Sequence, residues 1–325
     1  MRIVAAVHHP PVWTLPAAQV QRIAAALPDD EVQDARTPEA RMRLFADADV
    51  LLAFSISPDE AAAAARLRWI QSSAVGVAEL LVPSLQSRGV VITNVRGVHS
   101  HMIAEHAIAL VLALRRQLHV AVTQQATRTW AQVEMMQARV PSLANSRLVV
   151  IGLGEIGSRV AALASGLGMR VTGVRRQLDR PVPPGVERVV GPEQLHDALA
   201  IADAVVLAAP RTFETKAMIG AAEFAVMRPS AVLINVARGR LIDDDAMVDA
   251  LERGRIAGAG LDAFTREPLP DDHPLWRLRN VLITPHTAAF GADYWDGVVD
   301  LFLENVGRFR RGDPLVNVVD QARGY

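Results

Sequence analysis

The stretch VVIGLGEIGSRVAALASGLGMRVTGVRR, Val149 to Arg176, decides how this chain folds. Gly152, Gly154 and Gly157 form GxGxxG directly after the apolar run RLVVI and directly before the helical pattern SRVAALASGLG. The first glycine permits a tight turn, the second lets backbone approach a pyrophosphate, and the third lets helix pack closely on strand. The helix that follows offers free amides at its positive end, beginning with Glu155 and Ile156, where phosphates can sit. A bare GxGxxG is weak evidence, but here strand, turn, helix and second strand fall in the required order. The second strand, RVTGV, ends on Arg175-Arg176, 18 residues after Gly157. Units that use NAD carry Asp or Glu about there, accepting hydrogen bonds from the ribose 2′-hydroxyl. A carboxylate would repel a 2′-phosphate, whereas guanidiniums attract it and offer forked donors. The sequence therefore predicts NADP(H) preferred over NAD(H). The competing reading, two exposed arginines at a strand end, has some force because Lys216 is the only lysine among 34 basic residues.

Outward from this unit, short apolar strands alternate with helical patterns, which predicts parallel sheets flanked by helices. In the first hundred residues the strands are RIVAAV, VLLAF, WIQSS and VVITN, separated by segments such as AAQVQRIAAAL and PDEAAAAARL. A long helix is expected over Ser100–Gln117, with Ser100 as its N-cap and apolar residues nearly all round, as for a helix packed between bodies. Beyond the glycine unit, AVVLAAP, AVLINVA, AGAGLDAF and NVLITPH read as further strands. A last helix, about Asp293 to Arg310, leads to GDPLVNVV, read as a tail docking back on the first domain. The fold class is α/β: two Rossmann-like, doubly wound parallel-sheet domains, the nucleotide-binding one inserted into a discontinuous substrate domain. The expected boundaries are 1–98 with 287–325 for the substrate domain and 99–286 for the nucleotide domain.

Composition removes whole classes of function. Half the 325 residues are hydrophobic and the net charge is −1 without a basic block, which argues against a nucleic-acid partner. No cysteine is present, so disulfides, thiolate metal sites and cysteine nucleophiles are excluded. The phosphate-binding pattern GxxxxGK[ST] is absent. The richest apolar run, IAEHAIALVLAL, is interrupted by Glu105 and His106, so no membrane span is expected. The chain enters MRIVAAV directly as a strand, and a cytoplasmic protein is the default.

Three polar residues follow predicted strand ends, where ligands sit in open α/β sheets. Arg238 follows AVLINVA, Asp262 follows AGAGL, and His286 follows VLIT; Glu267 lies five residues after Asp262. A guanidinium grips a carboxylate with two parallel bonds and polarises an adjacent carbonyl. A histidine donates or accepts the proton, and a neighbouring carboxylate orients its ring. With a nicotinamide, these types fit reversible hydride transfer between a 2-oxo acid and a 2-hydroxy acid. Each alone has a bland reading, a surface Arg or a Pro-His turn; their convergence on one domain gives the signal. His99, His101 and His106 raise a metal site, but their spacing does not place all three on one helix face, and no metal is expected. His8-His9, before Pro10-Pro11, reads as a loop after the first strand.

The chain resembles the D-isomer-specific 2-hydroxyacid dehydrogenases over essentially its whole length. The match is carried by GVHSHMIAEHAIALVLAL, GLGEIG, LINVARGRLIDDDAMVDAL, GRIAGAGLDAFTREPLP and VLITPHTAA. The resemblance implies Arg238 as the substrate-binding arginine, Glu267 as the histidine's partner and His286 as the proton donor. It implies cofactor contacts at Ala209, Pro210, Val236 and Ala237, with Asp262 meeting the nicotinamide carboxamide. SSAVGVAEL resembles the family loop whose amides, at Val75 and Gly76, hold the substrate carboxylate. The Ser100–Gln117 helix resembles the family's dimer-forming element, which implies a homodimer. Arg211-Thr212 replaces the usual hydrophobic-Thr pair, a departure on the adenosine side. The implied activity is reduction of a small 2-oxo acid of the glyoxylate or hydroxypyruvate kind. The rivals are a nucleotide-sensing binding protein or corepressor with little turnover, and a hydride-transfer enzyme acting on formate or phosphite.

Overall fold

The computed structural model describes residues 1–10, 13–137 and 142–322. Pro11 and positions 323–325 of the expected first domain lie outside the described residues. The chain divides into two compact units, Met1–His99 with Gly291–Tyr325, and Ser100–Phe290.

The first unit contains β1 (Arg2–Ala6), β2 (His8–His9), β3 (Trp13–Thr14), β4 (Glu31–Asp34), β5 (Val50–Ala53), β6 (Trp69–Ser72) and β7 (Val91–Thr93). Five of these form a parallel sheet in the order β4-β1-β5-β6-β7, a doubly wound arrangement. β5 and β6 are buried along their whole length, so they read as continuous strands and not as alternating ones. β4 has no counterpart in the sequence reading: EVQD is an edge strand with both ends exposed, so it needs no apolar run. His8-His9 is a short strand and not a loop, pairing antiparallel with Trp13-Thr14. The Leu15 amide closes that hairpin onto the Val7 carbonyl at 3.0 Å.

The helix Tyr294–Arg311 is locked onto this sheet by stacking and a buried polar chain. Trp69 stacks on Phe302 with centroids 5.5 Å apart, and its indole N–H donates to Thr93 Oγ1 at 2.8 Å. Thr93 donates in turn to Gln71 Oε1, which also accepts from Asn305 Nδ2. Every buried polar atom in that chain finds a partner, which makes the helix position specific. The tail then pairs antiparallel beside β7, with Val319 N–H donating to the Ile92 carbonyl at 2.8 Å.

The second unit contains β8 (Arg147–Ile151), β9 (Arg170–Val174), β10 (Val186–Val190), β11 (Ala204–Leu207), β12 (Val232–Asn235), β13 (Gly258–Leu261) and β14 (Val281–Ile283). All pair parallel in the order β10-β9-β8-β11-β12-β13-β14. The order reverses between β8 and β11, the switch point where such sheets bind ligands. β10 was also invisible in sequence, because VERVV exposes its polar middle at the sheet edge and shifts register there.

The long helix covers Ser100–Arg115, two residues short of the expected end, and Ser100 lies inside it. Gln117 takes a left-handed conformation (φ 56°), after which a second helix runs from Leu118 to Ala126. The apolar circumference is spent inside the unit itself. Ala107, Leu110, Val111 and Leu114 join the core of β8, β11 and β12, and Leu110 seats over Gly260 of β13. The exposed large apolar residues come later: Leu118, Val122, Trp130, Val133 and Met136. Among the described residues no helix is long and apolar enough to cross a membrane.

Candidate active site

The glycine turn is built as its spacing requires. Gly152 has φ +97°, and a Cβ there would lie 2.7 Å from backbone atoms of Ala208 and Ala209. Only glycine fits both the left-handed turn and that approach. A Cβ at Gly157 would run into the Gly152 carbonyl, so this position joins the turn to the helix Glu155–Gly166. At Gly154 a Cβ would meet nothing within 4 Å, which keeps the N-terminal mouth of that helix open. Gly154 caps the helix without a side chain, so the first-turn amides, from Glu155 and Ile156 onward, remain available to an anion. Ala209 and Pro210 follow β11 directly across the switch point. Thr215 ties their loop by donating to the Pro210 carbonyl at 2.7 Å while accepting from the Thr212 amide.

The two arginines at the end of β9 differ. Arg175 turns its guanidinium onto the next loop, donating to the Pro181 carbonyl at 3.1 Å and to the Arg180 carbonyl. Arg176 is open to solvent, with Glu214 at 3.9 Å. The Glu214 carboxyl is held below its ordinary range by hydrogen bonds from Thr212 and its own backbone, with Arg176 adding attraction. It is therefore a charged neighbour of Arg176 at neutral pH.

Three adjacent strand ends present the remaining polar groups. After β12, the buried Asn235 folds the chain back on itself: Oδ1 accepts from the Ala237 amide at 3.0 Å and Nδ2 donates to the Arg238 carbonyl at 3.1 Å. Val236 and Ala237 are thereby fixed and buried, and Arg238 projects from the turn. Its guanidinium donates to the Ala237 carbonyl at 2.7 Å. Desolvation lowers its pKa from the ordinary value, with Glu267 opposing and Arg211 reinforcing that shift.

After β13, Asp262 is 2% exposed, and its carboxylate accepts three hydrogen bonds. They come from Thr284 Oγ1 (2.6 Å), the Thr287 amide (2.9 Å) and the Ala288 amide (2.9 Å). All three donors belong to the segment after β14 that carries His286. His286 itself has φ 55°, a left-handed conformation that costs a non-glycine residue on the order of 1–2 kcal/mol. The Asp262 clamp on both sides of it offsets that cost. In the loop between, Glu267 Oε1 accepts from the Phe264 amide at 2.9 Å, and Oε2 lies 2.7 Å from His286 Nδ1. A carboxylate on Nδ1 fixes a proton there and leaves Nε2 for a reacting group.

The structure thus brings Arg238, Asp262, Glu267 and His286 together on one unit. Asp262 is committed largely to the histidine segment, a role the sequence did not reveal. Asn235, Thr284 and His106 (Nε2 3.0 Å from Thr284 Oγ1) were also missed as parts of this site. Asn235, directly before the turn to Arg238, is the one with a local signal, since Asn favours such turns.

In the first unit, Val75 and Gly76 are exposed in the loop after β6. Asn94 Nδ2 donates to the Val75 carbonyl at 3.0 Å, which turns the amide of the same trans peptide, that of Gly76, the opposite way. Among the described residues neither the Val75 nor the Gly76 amide has an acceptor.

A family model described as "D-isomer specific 2-hydroxyacid dehydrogenase, NAD binding domain" matches residues 108–288. A glyoxylate reductase of Korarchaeum cryptofilum is 35% identical over 283 residues, covering 85% of this chain and 83% of that protein. A solved D-isomer specific 2-hydroxyacid dehydrogenase family protein from Aeromonas salmonicida is 33% identical with a TM-score of 0.84, covering 98% of this chain and 99% of that one. An NADPH-dependent glyoxylate/hydroxypyruvate reductase from Sinorhizobium meliloti, solved with NADP and sulfate, is 26% identical with a TM-score of 0.84, each chain covered in full. The chain belongs to the D-isomer-specific 2-hydroxyacid dehydrogenase family. It is an oxidoreductase of that class with an NAD-binding domain.

Proposed function

We propose that this enzyme reduces a small 2-oxo acid, of the glyoxylate or hydroxypyruvate kind, to the D-2-hydroxy acid, with NADPH preferred over NADH. The observation that carries the reading is the His286–Glu267 pair at 2.7 Å beside Arg238, on neighbouring strand ends. A bound reduced nicotinamide supplies a hydride to the carbonyl carbon. Arg238 grips the substrate carboxylate and polarises the carbonyl; the Val75 and Gly76 amides of the first unit are proposed as donors to a substrate carboxylate. His286 gives the Nε2 proton to the carbonyl oxygen as negative charge develops there, and Glu267 stabilises the imidazolium before transfer. Gly152, Gly154, Gly157 and the Glu155–Ile156 amides would hold the pyrophosphate. Ala209, Pro210, Val236 and Ala237 would flank the rest of the cofactor. Among the described residues Asp262 Oδ2 accepts a single hydrogen bond, which leaves capacity for the nicotinamide carboxamide.

The arginines after β9 support NADPH, as does the likeness to a reductase solved with NADP. Relatives named glyoxylate reductase support the substrate class. In this reading the unit Met1–His99 with Gly291–Tyr325 is the substrate domain and Ser100–Phe290 the nucleotide domain. We further propose a cytoplasmic homodimer formed around the Ser100–Gln117 region; the exposed Leu118, Val122, Trp130, Val133 and Met136 just beyond it support a covered surface. The deciding experiment is a panel of 2-oxo acids assayed with NADPH and NADH. Turnover of glyoxylate or hydroxypyruvate, faster with NADPH, is expected; binding of NADPH without turnover of any 2-oxo acid would favour a sensor.

A further inference from the structure

His106 lies within the helix Ser100–Arg115, and its Nε2 is 3.0 Å from Thr284 Oγ1. Counting protons fixes the direction of that bond. Thr284 has one hydroxyl proton, and it points to Asp262 Oδ1 at 2.6 Å. A carboxylate there accepts and cannot return it. Only lone pairs of Thr284 remain for His106, so His106 Nε2 carries hydrogen and donates. The same nitrogen is 3.7 Å from Asp262 Oδ1, close enough for attraction but too long for a direct bond. The result is one directed chain: His106 to Thr284 to Asp262, with Asp262 also holding the Thr287 and Ala288 amides. His286 stands inside the clamped segment, in a left-handed conformation.

We infer that His106 is a positioning residue for the proton-transfer step, acting through Thr284 and Asp262 on the segment that carries His286. Among the described residues no hydrogen bond or ion pair joins it to His286 or Glu267. Its donated hydrogen bond keeps the Thr284 hydroxyl turned toward Asp262 and so keeps the carboxylate in place for the two amides. Without the donor, the hydroxyl is free to rotate and the clamp loosens on one side. An apolar side chain would fill the space at this helix position but could not direct the hydroxyl. The inference rests on the reading of His286 as proton donor, but the clamp itself can be measured without turnover.

The test compares His106→Gln, His106→Asn and His106→Leu. The side-chain nitrogen of Gln reaches about where His Nε2 lies, while that of Asn stops near Nδ1. Amide hydrogen exchange at Thr287 and Ala288 is read first, then kcat and KM for glyoxylate with NADPH, then NADPH binding by calorimetry. Loss of one hydrogen bond of ordinary strength predicts that His106→Leu exchanges roughly three- to tenfold faster at both amides and loses kcat by a similar factor. KM should stay within roughly twofold, and the NADPH Kd should rise by less than kcat falls, since Asp262 also faces the nicotinamide carboxamide in the proposed reading. His106→Gln should restore both readouts and His106→Asn neither. If His106→Leu fails to fold, the Gln and Asn pair still decides. Wild-type exchange in the Leu or Asn variant, equal behaviour of Gln and Asn, or a loss confined to NADPH affinity would overturn the inference. A wild-type enzyme that turns over no 2-oxo acid would instead defeat the proposed function, leaving the exchange comparison to judge the clamp.

Discussion

Replacing Arg176 by Ala tests which arginine reads the cofactor's ribose. Both arginines were expected to meet a 2′-phosphate, but Arg175 already gives two donors to the Arg180 and Pro181 carbonyls. Among the described residues Arg176 is engaged only by Glu214, at 3.9 Å and in solvent, an arrangement that holds it weakly. A phosphate arriving there gains a charge-assisted bond worth about 1.5–3 kcal/mol. Arg176→Ala should therefore raise the Kd for NADPH by roughly tenfold to above a hundredfold while leaving that for NADH nearly unchanged. Glu214→Gln should act in the opposite sense. It removes a charge that competes for Arg176 and repels the phosphate, tightening NADPH by roughly two- to fivefold, with the gain shrinking at high salt. Arg175→Ala should loosen the 180–181 loop and weaken both cofactors together. Titration calorimetry with NADPH and NADH on the four proteins reads all of this without substrate. An unchanged NADPH-to-NADH ratio in Arg176→Ala would refute the assignment, and a collapsed ratio in Arg175→Ala alone would return the role to Arg175.

Other outcomes follow from the same geometry. Arg238→Lys should lose most kcat/KM, because a point charge cannot reproduce a planar two-bond grip; near-native kinetics would remove Arg238 from substrate binding. Glu267→Gln takes away the carboxylate that holds His286 Nδ1, so kcat for reduction should fall by roughly tenfold or more while NADPH binding stays unchanged; a wild-type kcat would detach Glu267 from the chemistry. Light scattering at micromolar concentration should give twice the chain mass, 70.2 kDa from two chains of 35.1 kDa, and a monomer would contradict the homodimer.

Sequence made the parallel sheets legible because buried strands such as VLLA and AVVL are continuous apolar runs, and the glycine turn because its geometry allows few residues. It hid the edge strands EVQD and VERVV, whose half-exposed backbones need no apolar signature. The long helix looked like an element packed between bodies, since periodicity cannot say whether the covering surface belongs to the same unit. Here β12, β13 and the helix Glu155–Gly166 cover much of it. The chemistry-bearing types, Arg238, Glu267 and His286, stood out beside strand ends. The groups that aim them did not, because a bond such as His106 to Thr284 spans 178 residues and leaves no local pattern. Arg175 shows the converse: its position was readable, but not the neighbouring carbonyls that occupy its guanidinium.

The central claim, that His286 delivers the proton in a 2-oxo acid reduction, is tested most directly by His286→Asn under single-turnover conditions with NADPH and glyoxylate. Cofactor fluorescence measures binding, and loss of the reduced nicotinamide's absorbance measures the chemical step. Binding should remain within roughly twofold of wild type, because the proposal places His286 at the reacting carbonyl and not at the pyrophosphate. The chemical step should slow by roughly a hundredfold or more, the scale expected for loss of a general acid. A His286→Asn enzyme that oxidises bound NADPH at the wild-type rate would contradict the account.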